Sequence, residues 1–335
     1  MGLLTYALQG NLGKFHRDLK VLSKKEGRSV FSLFTNFLYC FAKTGCGYSD
    51  YLNYKFYKRT KKELMEYVTI KHQEWFYEIA SPSAYKTFFT VKPNFMKNFS
   101  QYVGREFFTE GTVEELEAFL ERNPVFMIKP YDGLAGHGVA KMTREEAGSA
   151  QALYEKMQKE HLFIEGYVKQ NAEINRLCSA SVNTIRIMTF GYKGKSRILY
   201  AAMRIGNGVN HCDNFHQGGM GCSLDIETGK LYGIAIDKDL NEFEVHPSSG
   251  VKFDGFQLPY WEEAKKMVLD AALVNEHIHV VGWDVAFTDE GPILIEGNRR
   301  PGYDLVQVLS ERGRKDIMRS CLEEINAAEG TNYKL

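Results

Sequence analysis

The stretch GWDVAFTDEGPILIEGNRRPG, residues 282–302, holds two apolar runs on either side of Asp289-Glu290-Gly291. Alternating runs around a short acidic turn that ends in glycine predict an antiparallel hairpin. Along its second strand, alternation places Glu296 and Asn298 on one face, and the pairing can bring Asp284 opposite them. Two carboxylates and an amide oxygen are hard ligands of the type that suits Mg²⁺, which keeps several waters and completes its shell with phosphate oxygens. The competing reading is a plain hairpin with one exposed acid and one acid paired with Arg299 or Arg300.

A metal poised for phosphate raises the question of what else would hold the phosphate. IKPYDGLAGHGVAKM, residues 128–142, sets Lys129 at the end of an apolar run, then Asp132, Gly133, Gly136, His137 and Gly138, then a short run that suits a return strand. It matches neither GxxxxGK[ST] nor GxGxxG. Its glycines would let backbone N–H groups approach a phosphate closely; a simple glycine turn is the alternative. With Lys97 upstream, this loop and Lys129 can grip a triphosphate from one side while Asp284, Glu296 and Asn298 present metal from the other.

The 335 residues and 44% hydrophobic content fit a globular protein with a sizeable core. Lys plus Arg and Asp plus Glu both number 42, so there is no positive excess to attract nucleic acid, and no such partner is expected. The N-terminus lacks the basic-then-apolar layout of a secretory signal, which predicts a cytoplasmic protein. The most apolar segment, Val30 to Gly45, is shorter than the roughly 20 residues a spanning helix needs and carries Ser32, Thr35 and Asn36, so a buried or interfacial helix is expected in place of a transmembrane one. Six cysteines lie far apart with no CxxC pair, which predicts reduced thiols. His211, Cys212, His216 and Cys222 have a spacing that fits no established zinc finger or ribbon.

Residues 1–90 read as helices, with rings such as Tyr48, Tyr51, Tyr54, Phe56 and Tyr57 packing them together; residues 60–80 read as one of these helices. From about residue 90, strands and helices alternate. Thr112 with Glu115, and Thr143 with Glu146, have the spacing of capping boxes at helix starts. VFMIKP, LFIEGYV, TIRIMTFGY and SRILYAAMRIG read as strands, and Thr228-Gly229 as the turn of another hairpin. The expected class is α+β, a helical region over 1–90 followed by an α+β body.

In this order, Lys97 in NFMKNF, Lys129 in FMIKP, the loop DGLAGHGV, LFIEGYV, SVNTIRIMTF, AAMRIGNGVNHCDNFHQGGMG and the Asp284, Glu296, Asn298 trio resemble the ATP-grasp superfamily, in which two α+β lobes close over ATP. The matching run covers about residues 92–302. Arg186, Arg204, Asn214 and Gly218-Gly219 look like the corresponding stretch of the glutamate ligases that extend ribosomal proteins. A closer likeness, over nearly the whole chain, is to the sugar-transfer-associated ATP-grasp proteins, through GYSDYLNYKFYKRTKKELMEY, SVNTIRI, HPSSG and GNRRPG.

The resemblance implies an ATP-grasp fold over residues 91–335, with a glycine-loop lobe at 91–165 and a metal lobe at 166–335. It implies that Lys97 and Lys129 contact the ATP phosphates, that Asp132, Gly133, Gly136, His137 and Gly138 cover them, and that the hinge Glu165, Gly166, Tyr167, Val168 receives the adenine, with Glu173 at the ribose. Asp284, Glu296 and Asn298 would hold one or two Mg²⁺ ions, or Mn²⁺. Arg186, Arg204 and Arg300 would neutralise charge on the γ-phosphate or on an acyl phosphate. The implied reaction joins a small carboxylate to an amine, an amino acid or amino sugar, with ADP release, in cell-surface polysaccharide biosynthesis; a peripheral association with glycan machinery would go with it. A kinase acting on a sugar-like hydroxyl and a non-catalytic nucleotide-binding module are the alternatives. One departure stands out: where the D-alanine ligase branch has an arginine two residues before the first metal aspartate, this chain has Gly282. His246 in VHPSSG and the loop Asn207 to His216 are acceptor contacts or structural loops on this reading.

Overall fold

Ser29 and Gly45 bracket the most apolar segment of the chain. The Ser29 hydroxyl accepts the Ser32 N–H at 3.1 Å and Gly45 turns left-handed (φ 67°); between them runs α2 (Val30–Thr44), preceded by α1 (Leu12–Glu26). Leu33, Phe37, Cys40 and Thr44 recur at helical spacing and are buried. Aromatic rings close the core around them: Phe15 lies 4.8 Å from Phe37, Phe37 5.5 Å from Tyr51, and Tyr54 5.1 Å from Tyr67 between centroids. With α3 (Tyr48–Asn53), α4 (Lys61–Glu66) and α5 (Ile70–Ala80), these helices belong to one unit, residues 1–80 with 300–335; residues 81–299 form a second. The computed structural model describes residues 12–132, 138–209 and 213–335.

Residues 60–80 do not form the single helix that their spacing predicts. Thr60 caps α4 through a reciprocal pair with Glu63, but the helix ends at Glu66 and α5 starts only at Ile70. In the break, the Gln307 side chain takes both backbone groups of Val68, accepting its N–H at 2.7 Å and donating to its carbonyl at 3.0 Å. A side chain far along the chain thus replaces the helical partners.

The second unit opens with α6 (Thr87–Thr90) and α7 (Lys92–Asn98). Then come β1 (Phe107–Phe108), α8 (Val113–Arg122), β2 (Val125–Pro130), β3 (Ala140–Thr143), α9 (Ala150–Glu160) and β4 (Leu162–Gly166), whose strands pair antiparallel in the order β1-β4-β2-β3. Thr112 and Glu115 form the expected capping box of α8. Thr143 and Glu146 make the same reciprocal bonds around a turn instead, because Gly148 turns left-handed (φ 68°) and the helix starts after Ser149. Phe119 and Leu120 of α8 and Leu153 and Met157 of α9 cover one sheet face with Phe126 and Ile164.

After α10 (Ala172–Leu177), a larger antiparallel sheet forms from β5 (Thr184–Tyr192), β6 (Lys195–Ile205), β7 (Met220–Leu224), β8 (Leu231–Asp237), β9 (Glu242–Phe243), β10 (Val280–Thr288) and β11 (Gly291–Asn298), with α11 (Trp261–Ala271) inserted before β10. Its order is β11-β10-β5-β6-β7-β8-β9. Trp283 of β10 is fully buried 5.2 Å from the Phe99 ring and 5.8 Å from Phe89, and it donates to Thr189 Oγ1 at 2.8 Å. Alternation then turns Asp284 to the other face of the sheet. The chain returns to the helical unit with α12 (Asp304–Leu309) and α13 (Lys315–Glu329); there Gly313 passes so close to Glu66 that a Cβ would lie 2.2 Å from the Glu66 carbonyl carbon. The class is α+β, with helices first. Among the described residues no helix is long and apolar enough to cross a membrane.

Candidate functional site

The β10–β11 hairpin pairs Asp284 with Glu296 and Gly282 with Asn298. On its other side, β10 pairs Asp284 with Arg186 of β5, and β5 pairs Thr184 with Arg204 of β6. Register therefore sets Glu296, Asp284 and Arg186 in one row across three strands, with Asn298 and Arg204 displaced by two residues on the same face. Arg186 donates from Nε to Asp284 Oδ1 at 2.6 Å and from Nη2 to Oδ2 at 3.1 Å; Arg204 Nη1 reaches Oδ2 at 2.8 Å. Gly282 supplies no cation, and the guanidiniums at Asp284 come from β5 and β6.

Asp284 is 6% exposed. Burial would raise its pKa, but the charges of Arg186 and Arg204 outweigh burial and hold the carboxyl below its usual range. Glu296 moves the other way. Solvent reaches its side chain, yet protein surrounds the carboxyl densely enough that burial, then the Asp284 charge, push its pKa up, and Arg186, Lys129 and Lys92 offset this only in part. Arg204 also donates to Asp213 at 3.2 Å, and Asp213 accepts the Thr184 N–H at 2.9 Å as well as the Thr184 hydroxyl. Asp213, in the connection after β6, carries no motif that would have revealed it.

A second charged group sits on the smaller sheet. Met127 pairs with Glu165, so Lys129, two residues along β2, lies diagonally beside that carboxylate. Lys129 Nζ donates to Glu165 Oε1 at 2.5 Å and Arg105 Nη2 to Oε2 at 3.0 Å; Arg105 Nη1 goes on to the Val103 and Leu294 carbonyls, both at 2.8 Å. Glu165 is 2% exposed. Burial alone would raise its pKa, and Arg105 and Lys129 reverse that and bring it down to about 2.

Lys92, at the start of α7, was missed by sequence reasoning. It donates to the Pro130 carbonyl at 3.4 Å; burial lowers its pKa, against the pull of Glu296 and, more weakly, of Asp132 and Glu165. Its one signal is a repeated dipeptide, Lys92-Pro93 and Lys129-Pro130. Lys97, five residues on, pairs instead with Glu110 at 2.5 Å on the exposed surface. Glu173 likewise lies in an exposed pair with Arg176 at 2.6 Å.

Gly133, Gly136 and His137 lie outside the described residues, as do His211 and Cys212. Asp132 is exposed and Gly138 is left-handed (φ 75°). In the β4 exit, Gly166 donates to the Glu106 carbonyl at 2.9 Å, Lys141 Nζ lies 4.5 Å from the Tyr167 ring, and Val168 packs with Ala286 and Ile293. Arg300 belongs to the helical unit and pairs there with Glu78. His246 is buried, with one ring nitrogen 2.8 Å from the Gly206 carbonyl and the other facing the Ser248 and Ser249 N–H groups at 3.3 Å, so it holds a turn. Among the described residues no group of three or more His, Cys, Asp or Glu side chains is placed to hold a metal. The Asp284 group has two carboxylates, and its third donor is the Asn298 amide.

The model of the sugar-transfer associated ATP-grasp family matches residues 55–321. The chain belongs to that family. The ATP-grasp match takes in both sheets and part of the helical unit. Solved structures similar to this ATP-grasp protein include the ATP-grasp ligase PsnB complexed with minimal precursor (11% identity, TM-score 0.44, 74% of this chain and 64% of that one). Two others are D-alanyl-alanine synthetase A from Vibrio cholerae O1 biovar eltor (14%, 0.41, 74% and 68%) and an L-amino acid ligase from Bacillus licheniformis (16%, 0.42, 72% and 48%). The chain thus spans about two thirds or less of the length of these proteins. No curated protein matches the sequence.

Proposed function

We propose that this ATP-grasp protein is an ATP- and Mg²⁺-dependent ligase that joins a small carboxylate to an amine through an acyl phosphate, in the making of a cell-surface polysaccharide. The observation that carries the reading is the row Glu296, Asp284, Arg186 on one sheet face, with Arg204 beside it and the charges of Lys92 and Lys129 acting on Glu296. Anionic donors for a cation and cationic donors for phosphate meet in one place.

The donor set fits a hard divalent cation. Asp284 and Glu296 are opposed carboxylates, and Glu296 is disfavoured as an anion while only protein charges face it. Among the described residues no side chain hydrogen-bonds the Glu296 carboxylate, which leaves its oxygens for a metal. Asp284, Glu296 and Asn298 would hold Mg²⁺, which when bound supplies charge stabilisation to phosphate oxygens.

Lys92 and Lys129 would bind the nucleotide phosphates, and Glu165 with Arg105 would fix the Lys129 ammonium. Arg186 and Arg204 would stabilise the negative charge that builds as a substrate carboxylate oxygen bonds to the γ-phosphorus and the bond to ADP breaks. The same guanidiniums would serve when the amine attacks the acyl carbon, phosphate leaves with the bonding pair, and the amine gives up a proton. Asp213, on the far side of Arg204, would be a positioning residue for that guanidinium. The loop with Gly133, Gly136 and His137 would cover the phosphates and keep water from the acyl phosphate.

ADP release, measured over a panel of carboxylates and amines with hydroxylamine present, tests the reading. A hydroxamate formed with ADP supports it. A stable phosphorylated sugar would make the protein a kinase, and ATP binding without any ADP release would make it a binding module; either result rejects the ligase.

A further inference from the structure

Helix α2 buries one face and leaves the opposite one open. Leu33, Phe37, Cys40 and Thr44 enter the core of the helical unit. Phe31, Thr35, Leu38 and Ala42, spaced i, i+4, i+7 and i+11, share the opposite face, and all four are exposed. Phe31 is 77% exposed, Tyr39 beside the row 41%, and Val21 of α1 68%. Phe31, Leu38 and Ala42, interrupted only by Thr35, whose hydroxyl turns back to the Ser32 carbonyl at 3.0 Å, follow one face over about three turns, unlike the scattered exposure of ordinary surfaces.

The charges on these two helices are mostly positive. Arg17, Lys20, Lys24 and Lys25 of α1 and Lys43 of α2 are all exposed. The acidic residues of the pair are Asp18 and Glu26, and Glu26 is neutralised by Lys58 at 2.8 Å. Since the whole chain has equal numbers of acidic and basic residues, this hairpin concentrates positive charge that the rest of the chain balances. Residues 1–11, directly ahead of it, contain no charged side chain.

Two kinds of partner could cover such a face, and the lysines decide between them. Protein contact surfaces are depleted of lysine, whereas helices that lie in a lipid interface combine lysine with phenylalanine and leucine. Lysine stems lie along apolar surface while their ammonium groups meet lipid phosphates. We propose that the α1–α2 hairpin docks this protein on an anionic membrane surface, with Phe31 and Leu38 at headgroup level and the lysines on the lipid phosphates. With 15 residues, roughly 22 Å long, α2 lies on such a surface and does not span it.

Flotation of the full-length protein with vesicles tests this, comparing phosphatidylcholine alone with phosphatidylcholine containing phosphatidylglycerol. The protein binds the anionic vesicles, more weakly as salt rises, and Phe31→Glu weakens binding by about tenfold or more while its circular dichroism and melting stay unchanged. Phe31→Glu binding as tightly as the unmodified chain, equal binding to both vesicle types, or binding to neither overturns the proposal. So does light scattering that shows a lipid-free dimer which Phe31→Glu converts to a monomer, because the occupant is then a second copy.

Discussion

Glu165 and Asp284 are both buried carboxylates gripped by two cations, but Glu165 is closed on every side while Asp284 has Glu296 across the strand from it and solvent within reach of that neighbour. Around Glu165, Arg105 Nη1 donates to backbone carbonyls of both the preceding loop and β11, so the group ties secondary structure together. Around Asp284, burial and the Asp284 charge push the pKa of the second carboxylate, Glu296, up, and Arg186, Lys129 and Lys92 offset this only in part. The same ion-pair chemistry stabilises in one place and, on the function proposed above, prepares for a ligand in the other, and what separates the two is the solvent-exposed second acid beside Asp284.

The difference can be broken at either end. Glu165→Gln strands Lys129 and Arg105 without an anion and should cost about 3–5 kcal/mol in urea unfolding; a loss below about 1 kcal/mol would mean that the closed group does not hold the sheets. The pH dependence follows from the same residue. Its folded pKa of about 2 lies below the ordinary 4.5, so its contribution is fully present above pH 4.5 and is lost as pH falls towards 2, and Glu165→Gln should flatten the stability profile in that window.

Glu296→Gln should reverse the pattern, lowering ADP release by about a hundredfold or more while leaving the melting temperature unchanged or slightly raised, since it relieves repulsion with Asp284. Unchanged turnover at low Mg²⁺ would remove Glu296 from the metal site. Lys92→Ala should raise the KM for ATP about tenfold, as expected for one charge-assisted contact. Asp213→Asn should lower kcat a few-fold with KM for ATP unmoved, because it acts through Arg204. Lys97→Ala, which breaks only an exposed pair with Glu110, should change KM by less than about twofold; a larger effect would return Lys97 to the phosphate site in place of Lys92.

The β10–β11 hairpin and its donors were legible from residues 282–302 because strand alternation has a period of two and a two-stranded turn is local. The cap at Thr112 was equally local. Sequence patterns failed where a distant group intervened: Gln307 breaks the helix at Val68, and Gly148 turns the Thr143–Glu146 box into a mere turn. The Arg186–Asp284 pair spans 98 residues and exists because β5 lies beside β10, a neighbour relation that no single strand encodes.

By itself, then, the sequence determined the α+β class, the hairpin that sets Asp284 opposite Glu296 and the order of motifs that marks an ATP-grasp chain, all of which depend on residue type and short spacing. Tertiary structure alone decided that Arg186 and Arg204 converge on Asp284, that Lys92 reaches the Pro130 carbonyl while Lys97 pairs with Glu110 on the surface, and that residues 300–335 return to the helical unit. Those outcomes depend on sheet register and burial, which are set by contacts between residues far apart in the chain.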